Sequence, residues 1–130
     1  MKRYLKQISL LVRDYDEALA FYTQKLHFVI IEDTRISDEK RWVVISPSLE
    51  SQCHLLLAKA KGEEQDLQIG HQSGGRVFLF LYTDDFEREY NLLLSNNIEI
   101  ARGPVDEPYG KVLVFKDLYG NLWDLIQPNH

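Results

Sequence analysis

Cysteine is almost missing from this chain. Cys53 is the only one in 130 residues, so no disulfide can form within the chain and nothing points to an oxidising compartment. Proline and glycine are sparse, four and seven, which excludes collagen-like and low-complexity proteins. No apolar run nears the roughly 20 residues of a membrane-spanning helix. The opening MKRYLKQISLLVRDYD is basic, but its apolar stretch breaks at Arg13 and Asp14 with no small-residue cleavage site, unlike an export signal. Basic side chains are outnumbered by acidic ones, 15 to 20, for a net charge of -5, which offers a phosphate backbone no attractive field. These absences predict a cytoplasmic protein with neither nucleic acid nor membrane as partner. Also lacking are a Gly-x-Ser-x-Gly elbow and, around Ser73, Gly74 and Gly75, the lysine and spacing of a phosphate loop. Cys53 lies in an apolar run and is expected to face the core, so nucleophilic catalysis finds little support.

What is present is the composition of an ordinary folded domain, 45% hydrophobic and 27% charged, in a chain long enough for one core. Its order of elements occurs twice. QISLLV (7 to 12) leads to Asp14, a helix cap with Glu17 three residues on, and to a helix ending near Leu26. FLFLYT (78 to 83) leads to Asp84 and Asp85 and then to FEREYNLLLSNN, with Tyr90, Leu93 and Leu94 on one side. Asp14 and Asp85 are 71 apart; after the helices the offset is 70, where His27 and Asn97 suit a left-handed helix end. At the same offset RWVVISPS (41 to 48) falls on KVLVFKDL (111 to 118), and CHLLLAK (53 to 59) on LWDLIQP. The expectation is an α+β fold of two βαβββ modules in one domain spanning 1–130. Module 1 covers about 1–60, a polar linker about 60–75 and module 2 about 76–130. One such unit would leave a sheet face bare, so the two inner faces are expected to enclose a concave pocket.

Strand alternation then assigns faces. Ile8, Leu10 and Val12 turn to the helix in module 1, as Val77, Leu79 and Leu81 do in module 2. Cys53 and Leu55, or Trp123 and Leu125, lie under the helices, leaving His54 and Asp124 on the opposite face. Gln7, His54, Phe78 and Asp124 thus become corresponding inward positions. Asp124 sits among Leu122, Trp123, Leu125 and Ile126, where an unpartnered carboxylate is costly.

The opening QISLLVRDYDEALAFYTQKLHF and the closing PYGKVLVFKDLYGNLWDLIQP, with its Asp-x-x-Gly-Asn turn, resemble those of the vicinal oxygen chelate superfamily. That superfamily includes glyoxalase I, extradiol dioxygenases, fosfomycin-resistance enzymes and bleomycin-resistance proteins, and the resemblance covers essentially the whole chain. It implies a small-molecule-binding protein or enzyme, commonly a homodimer. In metal-using relatives a divalent ion is held by one residue from the first and last strand of each module, places that match Gln7, His54, Phe78 and Asp124. Glutamine and a terminal carboxylate agree with that pattern. His54 replaces a frequent carboxylate, and Phe78 stands where histidine is usual and cannot coordinate.

Three readings stay open. Gln7, His54 and Asp124 can hold Zn²⁺, Ni²⁺, Mn²⁺ or Fe²⁺ with sites left for substrate, as in a metal-dependent lyase, isomerase or dioxygenase that stabilises an oxygen anion. Alternatively, His54 and Asp124 form a polar network with Gln7. The favoured reading is metal-free binding, extending to a drug-sequestering dimer, because Phe78, Phe80, Tyr82 and Trp42 suit an organic ligand. A one-residue slip would exchange Trp42 for Arg41. GPVDEPYGK (103 to 111) is expected to be a rim loop carrying Tyr109 towards the ligand. His71 and His130 are expected to be solvent-exposed, without a role.

Overall fold

A computed structural model describes residues 1–129; His130 lies outside the described residues. The chain divides into two units, Met1–Ile69 and Gly70–His130. In the first, β1 (Gln7–Val12), α1 (Tyr15–Ala20, continued by a π-helix over Phe21–Lys25), β2 (Val29–Arg35), β3 (Arg41–Ser46) and β4 (His54–Lys59) are followed by α2 (Gly62–Gln68). The second holds β5 (Val77–Tyr82), α3 (Phe86–Ser95), β6 (Ile100–Glu107), β7 (Gly110–Lys116) and β8 (Leu122–Pro128). The sheets are ordered β1-β4-β3-β2 and β5-β8-β7-β6. In both, the first strand runs parallel to the last and the other neighbours are antiparallel. The architecture is therefore the α+β fold of two βαβββ modules that the repeat predicts. Among the described residues no helix is long and apolar enough to cross a membrane.

Each sheet is apolar on its helix side. In the first unit Leu10, Val12, Val43, Ile45, Leu55 and Leu57 are buried, with Ala18, Leu19 and Tyr22 of the helical segment. In the second, Leu113, Phe115, Trp123 and Leu125 are buried, with Phe86 and Leu93 of α3; Phe115 and Trp123 stack at 5.8 Å. Each such side chain contributes about 1.5–3 kcal/mol by leaving water. Cys53 precedes β4 and is only half-buried, not packed in the core as alternation implied, because the regular strand starts one residue later.

The helices begin and end as their sequences dictate. Asp14 accepts a 2.8 Å hydrogen bond from the Glu17 amide, and Asp85 one of 3.1 Å from the Arg88 amide. His27 and Asn97 have φ of 58° and 56°, the left-handed conformation that lets a chain leave a helix. The change of offset from 71 to 70 has a physical origin here. Asp14 and His27 are one residue further apart than Asp85 and Asn97, and the extra residue is taken up by the wider π turn Phe21–Lys25. The closing bond shows it: Phe28 donates to the carbonyl of Tyr22, six residues back, whereas Ile98 donates to that of Leu93, five back.

Two stretches differ from their sequence reading. The polar linker contains α2, which buries no residue and so has no apolar stripe to betray it. GPVDEPYGK is not a rim loop. Glu107 pairs with Gly110, leaving Pro108 and Tyr109 as a two-residue turn, and register shifts between Ile100 and Val105 accommodate Gly103 and Pro104 within β6.

The β7–β8 turn is held by one buried carboxylate. Asp117 accepts from the amides of Tyr119 (3.0 Å) and Asn121 (2.9 Å), from Asn121 Nδ2 (2.9 Å) and from Trp123 Nε1 (3.3 Å). Removing it would strand several buried donors, each at about 1–3 kcal/mol. Asp117→Ala should therefore lower unfolding free energy by about 3 kcal/mol in urea titrations. A loss under about 0.5 kcal/mol, the range of ordinary surface changes, would contradict this role.

Candidate functional site

On the face of the first sheet away from α1, parallel pairing sets Gln7 of β1 directly beside His54 of β4. Trp42 joins them in lining a cavity of about 470 Å³, with Lys6, Glu32 and Val44. The choice between Trp42 and Arg41 is decided by charge. Arg41 turns to the helix side, where its guanidinium meets Asp33 at 2.7 Å and Asp16 at 2.9 Å and lies 5.2 Å from the Tyr15 ring. Trp42, the next residue, therefore faces the open side.

His54 is buried, and its Nε2 lies 3.0 Å from the carbonyl oxygen of Ser51. A carbonyl only accepts, so Nε2 carries the proton and Nδ1 keeps a lone pair. That Nδ1 is itself buried and has no hydrogen-bond partner. A ligand to a divalent ion must present a lone pair, and Nε2, engaged with the Ser51 carbonyl, has none to present. Among the described residues, no group of three or more His, Cys, Asp and Glu side chains is arranged to hold a metal.

The second sheet has its own open face. One row crosses it: Phe80 of β5 opposite Asp124, Asp124 opposite Val114, and Val114 opposite Arg102. The residue beside Asp124 is thus Phe80 and not Phe78, a correction to the sequence reading. Phe78 falls within a register shift between Val77 and Leu79, which displaces the alternation expected of an uninterrupted strand. Phe80 and Tyr82 are 60% and 64% exposed. Tyr109 is exposed at the tip of the β6–β7 turn. Its neighbour Gly110 pairs with Pro128, four residues beyond Asp124, so about 13 Å of strand separates the two levels.

Asp124 is half-buried and accepts no hydrogen bond from a described residue. Burial pushes its carboxyl up from the ordinary value, and the positive charge of Arg102 pulls part of that back. Arg102 itself contacts Glu107 at 3.4 Å. Sequence reasoning missed Arg102 because bulges in β6 break the alternation that would have placed it in the Asp124 row.

With this geometry in view, the comparisons with known proteins converge. Residues 4–125 match the Glyoxalase/Bleomycin resistance protein/Dioxygenase superfamily, and the chain belongs to it. An uncharacterized protein of Shewanella frigidimarina (strain NCIMB 400) is 54% identical over 130 residues, 99% of this chain and 96% of its own. YurT of Bacillus subtilis (strain 168) is 31% identical, over 92% and 94% of the two chains. The crystal structure of UcmS2 superposes with a TM-score of 0.83 at 29% identity, covering 97% of this chain and 98% of that one. TnmS3, an antibiotic binding protein from Streptomyces sp. CB03234, gives 0.80 at 24% identity, with 98% of each chain covered.

The raised Asp124 value fixes a sign. A carboxyl whose folded-state pKa exceeds its unfolded one favours the folded state at acid pH, and loses that contribution as pH rises through the folded value. Asp124→Asn should accordingly raise the melting temperature slightly at pH 7, with the gain vanishing below the unperturbed value of 3.8. A lower melting temperature at pH 7 would mean that the carboxylate has a stabilising partner.

Proposed function

We propose that this chain is a small-molecule-binding member of the superfamily that holds an aromatic organic ligand on its open sheet faces without a resident metal. The observation that carries the reading is the pairing of exposed aromatic surface with a few fixed polar groups. Trp42 stands beside Gln7 and His54 in one unit, and Phe80 and Tyr82 stand beside Asp124 in the other. Such a mixture binds by area and orients by hydrogen bonds. The commitment of His54 Nε2 to Ser51 supports it against a metal-dependent lyase, isomerase or dioxygenase. That TnmS3 is an antibiotic binding protein supports it at the level of the fold. In this reading Asp124 favours a ligand or ligand group of positive charge near Phe80 and Tyr82.

A homodimer belongs to the same proposal, since Ile30, Ile36 and Leu49 leave apolar surface in water that a second copy would shield. A cytoplasmic location belongs to it as well, supported by the single cysteine. Sedimentation should give about twice the 15.2 kDa chain mass; a single species at the chain mass would remove the dimer.

The test of the metal-free reading uses chelator-treated protein without a histidine tag, to which Zn²⁺, Ni²⁺, Mn²⁺ or Fe²⁺ is returned. Melting temperature should move by less than about 1 °C, because an ion that does not bind the native state cannot stabilise it. Stoichiometric uptake with a rise of several degrees, abolished by Asp124→Ala, would replace this reading with the metal enzyme.

A further inference from the structure

A second and larger cavity in the first unit, about 720 Å³, lies where β3 begins and β4 ends, next to α2. Its lining includes Trp42, Leu56 and Ala58 together with Lys40, Lys59 and Lys61. Trp42 also borders the cavity of Gln7 and His54, so this indole stands between two hollows of one unit. Lys59 is five residues beyond His54 on β4, about 17 Å at strand rise.

The charges at this end are unusual for a chain of net charge -5. Among the described residues, the side chains of Lys40, Lys59 and Lys61 have neither an ion-pair partner nor a hydrogen bond. Arg41, which also lines the cavity, is already engaged by Asp33 and Asp16. Glu39 is the acidic residue in the lining, leaving the lysines in excess. Three lysines lining one cavity with Trp42, Leu56 and Ala58 raise the local concentration of anions, while the indole offers a face for stacking.

We propose that this cavity takes a conjugated organic anion, an aryl carboxylate or sulfonate, with its ring system on Trp42 and its acidic group among Lys40, Lys59 and Lys61. The inference rests on the small-molecule-binding reading and names a ligand class for it. It is separate from the preference for positive charge argued at Asp124.

The probes are 1-anilinonaphthalene-8-sulfonate and N-phenyl-1-naphthylamine, which share their rings and differ in the sulfonate. The two tryptophans give separate reporters. Trp42 borders the cavity, whereas Trp123 is 2% exposed, with its Nε1 proton donated to Asp117. In ¹⁵N-edited spectra of the full chain, the sulfonate should shift the Trp42 indole signal and leave that of Trp123 in place. Its affinity should exceed that of the uncharged probe by about tenfold, and Lys40→Gln/Lys59→Gln/Lys61→Gln should abolish the difference, as expected for a few partly solvated charge contacts. The lysines are exposed, and Lys59→Gln alone should give a partial loss if the triple variant is unstable. Equal affinities for the two probes, or sulfonate binding insensitive to the lysines, would overturn the anion assignment, and a Trp42 shift with both probes would leave the binding reading standing. A Trp42 signal that moves with neither probe would overturn the assignment of this cavity as a ligand site.

Discussion

The parallel pairing of first and last strands within each module is the constraint on which the rest depends. It sets Gln7 against His54 and Phe80 against Asp124, and a slip of one residue would send each of these side chains to the helix side. The register is locked by what lies underneath. Leu10, Val12, Leu55 and Leu57 in one unit, and Trp123 and Leu125 in the other, are nearly excluded from water and have no equivalent place on the open face. Polar side chains are therefore held in position by their apolar neighbours.

The chemistry of the open faces follows from how each polar group is, or is not, satisfied. His54 donates its Nε2 proton to the Ser51 carbonyl and keeps a buried lone pair on Nδ1, an arrangement that orients the ring. Asp124 is the reverse case. It is partly desolvated and opposed only at a distance by Arg102, so its charge remains available to whatever covers Phe80 and Tyr82. At the other end of the first sheet, Arg41 is consumed in tying β2 and α1 together, while the lysines around it stay uncommitted. What separates Arg41 from these lysines is its pair of carboxylate partners, Asp33 and Asp16.

Much of this was legible in the sequence wherever a local rule acts alone. Asp14, Asp85, His27 and Asn97 mark helix ends because capping and left-handed φ depend on a few adjacent atoms. The alternation of Trp123, Asp124 and Leu125 gave their faces correctly, since β8 is uninterrupted. Reading failed where the chain departs from period two. A bulge at Phe78 moved Phe80 beside Asp124, and shifts in β6 hid Arg102 and turned an expected loop into a strand. The helix α2 escaped notice because it buries nothing, and helical periodicity is visible only when one side is apolar. The one-residue change in repeat offset was in plain view, but its meaning as a π turn required the backbone.

The protonation pattern of His54 is the point at which the account of a metal-free binding face is most directly exposed. Long-range ¹H–¹⁵N correlation spectra of the imidazole should show a protonated Nε2 and a bare Nδ1 that stay unchanged when Zn²⁺ is added. Loss of the Nε2 proton, or a metal-dependent shift of either ring nitrogen, would contradict the account and return His54 to the role of a ligand.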